Sequence, residues 1–476
     1  MSSPEAWLRQ GARTAPNAIA IRFGETETSF AALDRHIDAM ATILIDRGLV
    51  SGRCFGAVTG NAMLLGLLSL AVPRAGGAFL PVNPRLPQPQ IDALFAKAGG
   101  AVALADRPLS GSVAGLDPAC FTRSALESAP VPDGLLSPAP GEAIHLIIAT
   151  SGSTGEPKGA MLRGSNLSAA GKGSRRSRPV DPGDVWLGCL PLFHIGGLSV
   201  LFRCLEAGAT MLLHPRFDPE AVGRNLTEGQ ATHVSLVPAM LAQLIDMECR
   251  PSPRLRHVLI GGASLPAVLA ERAIAAGWPI HPSYGMSEAG SQVATWLDAR
   301  TWRPGLAGDP LPGVMVGTSS TGRIRIRGPQ VMAGYVNPTL TPGTGLDPDG
   351  WFETSDLGGL DGDGHLTIIG RADDLLISGG ENVAPAMVED LAGRCPGVEA
   401  IAVTGRPDPA WGDLLVAVVV GPVSRDTFLT WCREQLPSHL RPRAMISVAA
   451  LPVTAGGKLD RRALRQLVVK IQQTSP

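Results

Sequence analysis

Short apolar runs closed by Gly, Pro or polar residues alternate along the chain with longer Ala- and Leu-rich stretches. Apolar runs of about four to eight residues between turn signals suit buried strands, and the longer stretches suit helices laid over them. Strands are expected over Ala143 to Ala149, His233 to Val237, His257 to Ile260, Arg323 to Arg327 and Leu366 to Ile369, each ending near a Gly-rich or polar turn. This alternation predicts an α/β fold of mixed sheets covered by helices, with functional loops leaving the strand ends.

After Gly370-Arg371-Ala372-Asp373-Asp374 the pattern restarts. A helix is expected near Ala386 to Ala392, strands near Glu399 to Val403 and Leu414 to Val420, and a helix near Asp426 to Leu436. The reading is therefore a large N-terminal domain of packed α/β subdomains, residues 1–371, and a small C-terminal α+β domain, residues 372–476. The Pro-, Gly- and Ser-rich stretch from Arg107 to Glu142 reads as surface connection, with a short helix over Cys120 to Ser128. No internal repeat is visible.

Composition removes several classes of function. A formal net charge of -1 without acidic or basic blocks argues against nucleic acid or an anionic membrane as partner and leaves small molecules. The seven cysteines are scattered and unpaired in sequence, which predicts reduced, mostly buried thiols. The start of the chain lacks a basic stretch followed by an apolar one, and no apolar run reaches bilayer length, so the expected location is the cytoplasm. A homodimer stays open. Only Lys97, Lys158, Lys172, Lys458 and Lys470 are lysines, so arginine supplies nearly all positive charge. A lysine retained in such a chain points to a site that needs a compact, flexible ammonium.

The strongest local signal is Ala149-Thr150-Ser151-Gly152-Ser153-Thr154-Gly155-Glu156-Pro157-Lys158-Gly159, placed after an expected strand and before an expected helix. Its glycines let backbone N–H groups approach phosphate oxygens, Thr150, Ser151, Ser153 and Thr154 add hydroxyls, and Lys158 adds a point charge. A solvated turn has no need for this density of hydroxyls beside a rare lysine. The Walker pattern is absent, because Pro157 precedes the lysine and Gly159 follows it.

This loop resembles the signature of the adenylate-forming superfamily: acyl-CoA synthetases, adenylation domains and luciferases. Four further segments match in order: Ser283-Tyr284-Gly285-Met286-Ser287-Glu288, Trp351-Phe352-Glu353-Thr354-Ser355-Asp356, the run from Gly370 to Glu381, and Pro452-Val453-Thr454-Ala455-Gly456-Gly457-Lys458. The resemblance implies ATP, Mg2+ and coenzyme A as cofactor and co-substrates. It assigns Tyr284 and Gly285 to the adenine, Ser287 to the α-phosphate, and Glu288 with Thr150 to Mg2+. Gly262 and Ala263, after Gly261, would let backbone approach the adenine, while Asp356 would accept from the ribose hydroxyls beside Arg371. Asp373 is implied as the hinge of a mobile C-terminal domain, and Gly379 and Gly380 as part of a loop that leaves room for a pantetheine arm. Lys458 would hold the substrate carboxylate and α-phosphate together, where one anion attacks another.

For the acid, Leu190-Pro191-Leu192-Phe193-His194-Ile195-Gly196-Gly197-Leu198-Ser199, Arg203, Ser291 and Gln292 resemble the o-succinylbenzoate–CoA ligases of menaquinone synthesis. Arg203 lies inside the apolar stretch Leu198 to Leu205, where a buried guanidinium needs an anion. A second carboxylate on the substrate would supply it, leaving the first for activation near His194 and Lys458; pairing with Glu206 or another acid is the alternative. Gly196, where that group usually has serine, and Ala384, where it often has a larger residue, are departures that leave another aryl or medium-chain acid open. A carrier protein in place of CoA, and a silent nucleotide-binding protein of this fold, are the other readings.

Overall fold

The computed structural model describes residues 3–50, 54–100, 102–106, 136–151, 157–453 and 459–474. In its widest sheet the strands Ile280–Met286, His257–Ile260, His233–Leu236, Val185–Gly188, Thr210–Leu213 and Ile19–Phe23 run side by side and parallel. Such strands are covered on both faces, which is why they read as short apolar runs rather than as alternating ones. On the other side of Ile280–Met286 the pairing becomes antiparallel and continues through Ser291–Thr295, Leu306–Pro310, Leu366–Arg371, Phe352–Leu360 and Arg323–Arg327 to Met315–Thr318.

A second sheet sets Cys54–Val58 between Val102–Ala105 and Ala78–Val82, then adds Ile144–Ser151, Pro157–Arg163 and Gly334–Tyr335. One large core joins both sheets through the helices Phe30–Asp46, Ala62–Arg74 and Ile195–Ala207, with Phe30, Phe55, Phe79, Leu68 and Leu198 fully buried. Asn61 caps Ala62–Arg74 by accepting from the Leu64 N–H, and Gly208, at φ 71°, ends Ile195–Ala207 in the left-handed region that glycine adopts without strain. The third sheet, Glu381–Val383, Leu376–Ser378, Gly412–Val420, Ala400–Asp408 and Ala444–Ser447, has its own core clusters around Phe428, Val403 and Val418.

The phosphate-loop expectation needs one correction. The loop leads into the strand Pro157–Arg163, antiparallel to Ile144–Ser151, and a helix begins only at Gly164. Ala160, Met161 and Leu162 are all fully buried, so this short run is a two-faced strand, which length alone does not separate from a helical turn. The helix expected over Cys120 to Ser128 lies outside the described residues. Cys54, Cys189, Cys204, Cys395 and Cys432 are buried free thiols and Cys249 is half-buried; Cys120 is outside the described residues.

A buried charge cluster ties the first helices together. Arg9 and Arg74 share Asp34 and Asp38 at 2.8–3.0 Å, two cations against two anions. Glu5 is a third acid in the same place, and burial pushes its carboxyl up to about 7 against the pull of Arg74. Its Oε1 lacks a hydrogen bond and stands 3.4 Å from Nδ1 of His145. The other ring nitrogen of His145 lies 3.1 Å from the Pro140 carbonyl, and burial lowers this histidine to about 4. With the ring donating to that carbonyl, Nδ1 is an acceptor, and a protonated Glu5 completes a neutral cluster.

Candidate active site

The carboxyl ends of the parallel strands face one region, the place where open α/β sheets hold ligands. Val185–Gly188 leads there to the His194 segment, His257–Ile260 to Gly261-Gly262-Ala263, and Ile280–Met286 to Ser287 and Glu288. Along Ile280–Met286, Pro282 still pairs in parallel with Ile260, whereas Ser283 onward pairs antiparallel with the Ser291–Thr295 strand. Tyr284 therefore sits at the switch in pairing direction. Gly285 is required there, since a Cβ would stand 1.9 Å from the Ser291 carbonyl oxygen.

The expected adenine and ribose residues are brought together. The Tyr284 hydroxyl donates to Oδ2 of Asp356 at 2.6 Å, and burial with the Asp356 charge raises the phenol well above its ordinary range. Register sets Asp356 opposite Arg371, whose guanidinium lies 3.7 Å from Oδ1 and 3.4 Å from the Asp373 carboxylate. Gly262, at φ 81°, and Ala263 are exposed at the end of their strand, open to an incoming group.

Thr150 and Lys158 are paired positions on the two strands flanking the phosphate loop. The short turn Ser287–Ala289 packs against both strands, placing Glu288 beside them. Oε1 of Glu288 accepts from the Tyr335 hydroxyl at 2.8 Å, and the Lys158 ammonium lies 5.1 Å from the Tyr335 ring centroid. Burial and the Glu288 charge push the Tyr335 phenol up, so it stays a donor. The residues fit Mg2+: carboxylate and hydroxyl oxygens are hard donors, and Oε2 of Glu288 has no hydrogen bond among the described residues. Ser151 ends its strand at the loop, while Ser153, Thr154 and Lys458 lie outside the described residues. Sequence reasoning missed Tyr335, although the chain has only two tyrosines and both donate to site carboxylates.

Arg203 is buried, and Glu206 does not pair with it: Glu206 lies 3.5 Å from Arg175. Among the described residues Arg203 forms no ion pair. Its Nη2 donates to the Ser291 hydroxyl at 3.1 Å, its Nη1 is buried without a hydrogen bond, and its guanidinium lies 5.2 Å from the Trp186 ring centroid. Burial lowers this arginine to about 10. A small pocket at this point is lined by Gly171, Ser199, Phe202, Arg203 and Gly290. Ser291 holds φ 116°, unusual for a serine, and its hydroxyl also contacts that of Ser199 at 3.3 Å. Gln292 is taken up by the protein instead: Oε1 accepts from Ser174 at 2.7 Å and Nε2 donates to Thr295 at 2.8 Å. His194 is exposed just before Ile195–Ala207, edge-on to Phe193 with centroids 4.8 Å apart.

Gly379 and Gly380 form a two-residue turn between the paired strands Leu376–Ser378 and Glu381–Val383, with φ 61° and 83°. Both angles positive is the turn that matches strand twist, and it favours glycine. A Cβ at Gly380 meets nothing within 4 Å, and one at Gly379 would touch Trp411 at 3.0 Å. Asp373 lies in the short turn Ala372–Asp374, and Ala384 packs close to Gly370. Nearby, Asp390 accepts from the Ala267 N–H at 3.0 Å, joining the helices Ala267–Ala275 and Pro385–Ala392.

The chain is similar to known proteins over nearly all of its length. The family of AMP-binding enzymes matches residues 8–336, and the AMP-binding enzyme C-terminal domain matches residues 387–458. A 2-succinylbenzoate–CoA ligase of Bacillus cereus is 32% identical, over 98% of this chain and 99% of that protein. The o-succinylbenzoate CoA synthetase of Bacillus subtilis in complex with its acyl-adenylate intermediate superposes with TM-score 0.85 at 30% identity, covering 96% of this chain and 97% of that one. A double mutant of the same Bacillus enzyme bound to a product analogue, also 30% identical and covering 97% and 98%, gives 0.71. By this likeness over nearly the whole of its length, the chain belongs to the AMP-binding enzyme family and is an AMP-forming acid–thiol ligase.

Proposed function

We propose that the acid is o-succinylbenzoate, activated by ATP and transferred to coenzyme A in the cytoplasm as a step of menaquinone synthesis. The observation that carries this reading is Arg203: a buried guanidinium with an unbonded Nη1 beside a pocket, and no acid to neutralise it among the described residues. An isolated buried cation is costly, and a substrate with a second carboxylate removes that cost on binding. The names of the relatives agree with a dicarboxylic aryl substrate.

In the first half-reaction the free carboxylate attacks the α-phosphorus of ATP, forming acyl-AMP and releasing pyrophosphate. Tyr284 and Asp356 hold the nucleoside, Arg371 stands beside the ribose, and Lys158 with the loop hydroxyls and Ser287 faces the phosphates. Glu288 and Thr150 would hold Mg2+, which offsets phosphate charge when bound. Lys458 brings positive charge to the two meeting anions, and His194 would stand near the carboxylate to be activated. The residues from 372 onward then turn about Asp373, carrying the Gly379–Gly380 turn toward the site. The CoA sulfur attacks the acyl carbonyl, the thioester forms and AMP leaves.

The test is product analysis by mass spectrometry. Protein, ATP, Mg2+ and CoA are incubated with o-succinylbenzoate, benzoate, a cinnamate or medium-chain acids, with Lys458→Ala as control. A Lys458-dependent o-succinylbenzoyl-CoA formed in preference to the others supports the substrate; preference for a monocarboxylic acid overturns it.

A further inference from the structure

We propose that Tyr335 is a positioning residue whose hydroxyl sets the Glu288 carboxylate for Mg2+ and whose ring face sets the Lys158 ammonium for phosphate. The proposal rests on Glu288 being the Mg2+ ligand, and it adds a residue that the motif pattern does not contain. Glu288 comes directly after a strand of the widest sheet, whereas Lys158 and Tyr335 belong to the second sheet. The Tyr335 hydroxyl, 2.8 Å from Oε1 of Glu288, therefore bonds one sheet to the other at the phosphate end of the site.

The backbone around Tyr335 is fixed on both sides. Met332 N–H donates to the Glu288 carbonyl at 2.7 Å, Ala333 N–H to Met161 at 2.8 Å, and Val336 N–H to Gly159 at 2.7 Å. Tyr335 pairs with Ala160, two residues from Lys158 and so on the same face of that strand. Phe352 meets the ring edge at 6.2 Å between centroids. With ring and backbone both held, the hydroxyl has one direction to donate. Its bond occupies Oε1 and leaves Oε2 for the metal, while the ring face holds the exposed lysine near its phosphate position.

Substitutions separate the two duties. Tyr335→Phe removes the hydroxyl and keeps the ring; Tyr335→Leu removes both. The readout is calorimetric binding of α,β-methylene ATP by the full chain, without any acid, across a series of Mg2+ concentrations. Tyr335→Phe is expected to need about tenfold more Mg2+ for half-maximal nucleotide binding, with wild-type affinity at saturating Mg2+. Tyr335→Leu is expected to show that shift and a further loss of about threefold at saturation. Glu288→Gln separates the layers of argument. If Glu288→Gln shifts the Mg2+ dependence and Tyr335→Phe does not, the positioning role is wrong while the metal assignment stands. If neither moves it, the metal assignment fails and the proposal falls with it. A large drop in the melting temperature of Tyr335→Phe without nucleotide would make the hydroxyl structural and overturn the proposal as well.

Discussion

The phenol of Tyr284 donates to the carboxylate of Asp356 across 2.6 Å, so the residues assigned to adenine and ribose hold one another before nucleotide arrives. Tyr284→Phe keeps the aromatic face and deletes the donor, leaving Asp356 with Arg371 at 3.7 Å. ATP affinity is expected to fall about fivefold, the effect of one hydrogen bond to a charged group after partial compensation. Calorimetric titration with ATP checks it; unchanged affinity would mean that Arg371 alone holds the carboxylate.

Arg203→Met separates substrate recognition from folding. Removing one partner of a buried charge pair costs about 3–5 kcal/mol, so turnover of the dicarboxylic acid is expected to fall at least about a hundredfold. A monocarboxylic acid should be hardly affected. Thermal stability without ligand should hold or rise, because the free fold no longer buries an unneutralised guanidinium. Loss of stability together with loss of turnover on every acid would show that Arg203 serves the fold.

The Glu5 cluster predicts how stability depends on pH. Folding raises the Glu5 carboxyl from 4.5 to about 7, so between those values the native state binds the extra proton. Stability contributed by that proton is present below pH about 4.5 and declines as pH rises toward 7, with a limiting slope of about 1.4 kcal/mol per pH unit. Glu5→Gln, neutral at every pH, should flatten the decline and be the more stable form at pH 8. Denaturant melts from pH 5 to 8 read this directly, and parallel curves for the two proteins would contradict it.

Asp390 caps the first N–H of the helix Ala267–Ala275 from a helix of the C-terminal region. Under the rotation proposed about Asp373 this contact is made in one arrangement only, which we assign to the first half-reaction. Losing a cap costs about 1 kcal/mol. Asp390→Ala should therefore slow acid-dependent pyrophosphate exchange about fivefold while thioester formation from preformed acyl-AMP is maintained. Equal slowing of both steps would remove any preference for one arrangement.

Much of this was legible in the sequence where one segment determines its own outcome. His257–Ile260 and Arg323–Arg327 match the expected strands, and the helix Pro385–Ala392 and strand Gly412–Val420 begin within two residues of expectation. Tyr284, Asp356 and Arg371, picked from separate motifs, meet. The features that sequence did not yield depend on neighbours distant in the chain. Pro157–Arg163 is a strand because Ile144–Ser151 folds back on it. Gln292 is consumed by Ser174, 118 residues away, and Glu206 by Arg175, which left Arg203 without the acid nearest to it in sequence. Tyr335 was findable by scarcity, the same reasoning that singled out the lysines.

The Gly379–Gly380 turn has a consequence for tempo. Its two left-handed residues and flanking pair Ser378–Glu381 give it a finished shape, and Gly379 N–H is tied to the Trp411 carbonyl at 2.8 Å. In the proposed rotation a segment already in that shape would arrive as a stiff finger, so the entropy of ordering it would be met once, when the chain folds, and not in each turnover. Under the proposed rotation about Asp373, the pace of the change between half-reactions would be set by the swing of a whole sheet and by contacts such as Asp390 that must let go, rather than by a loop searching for its form.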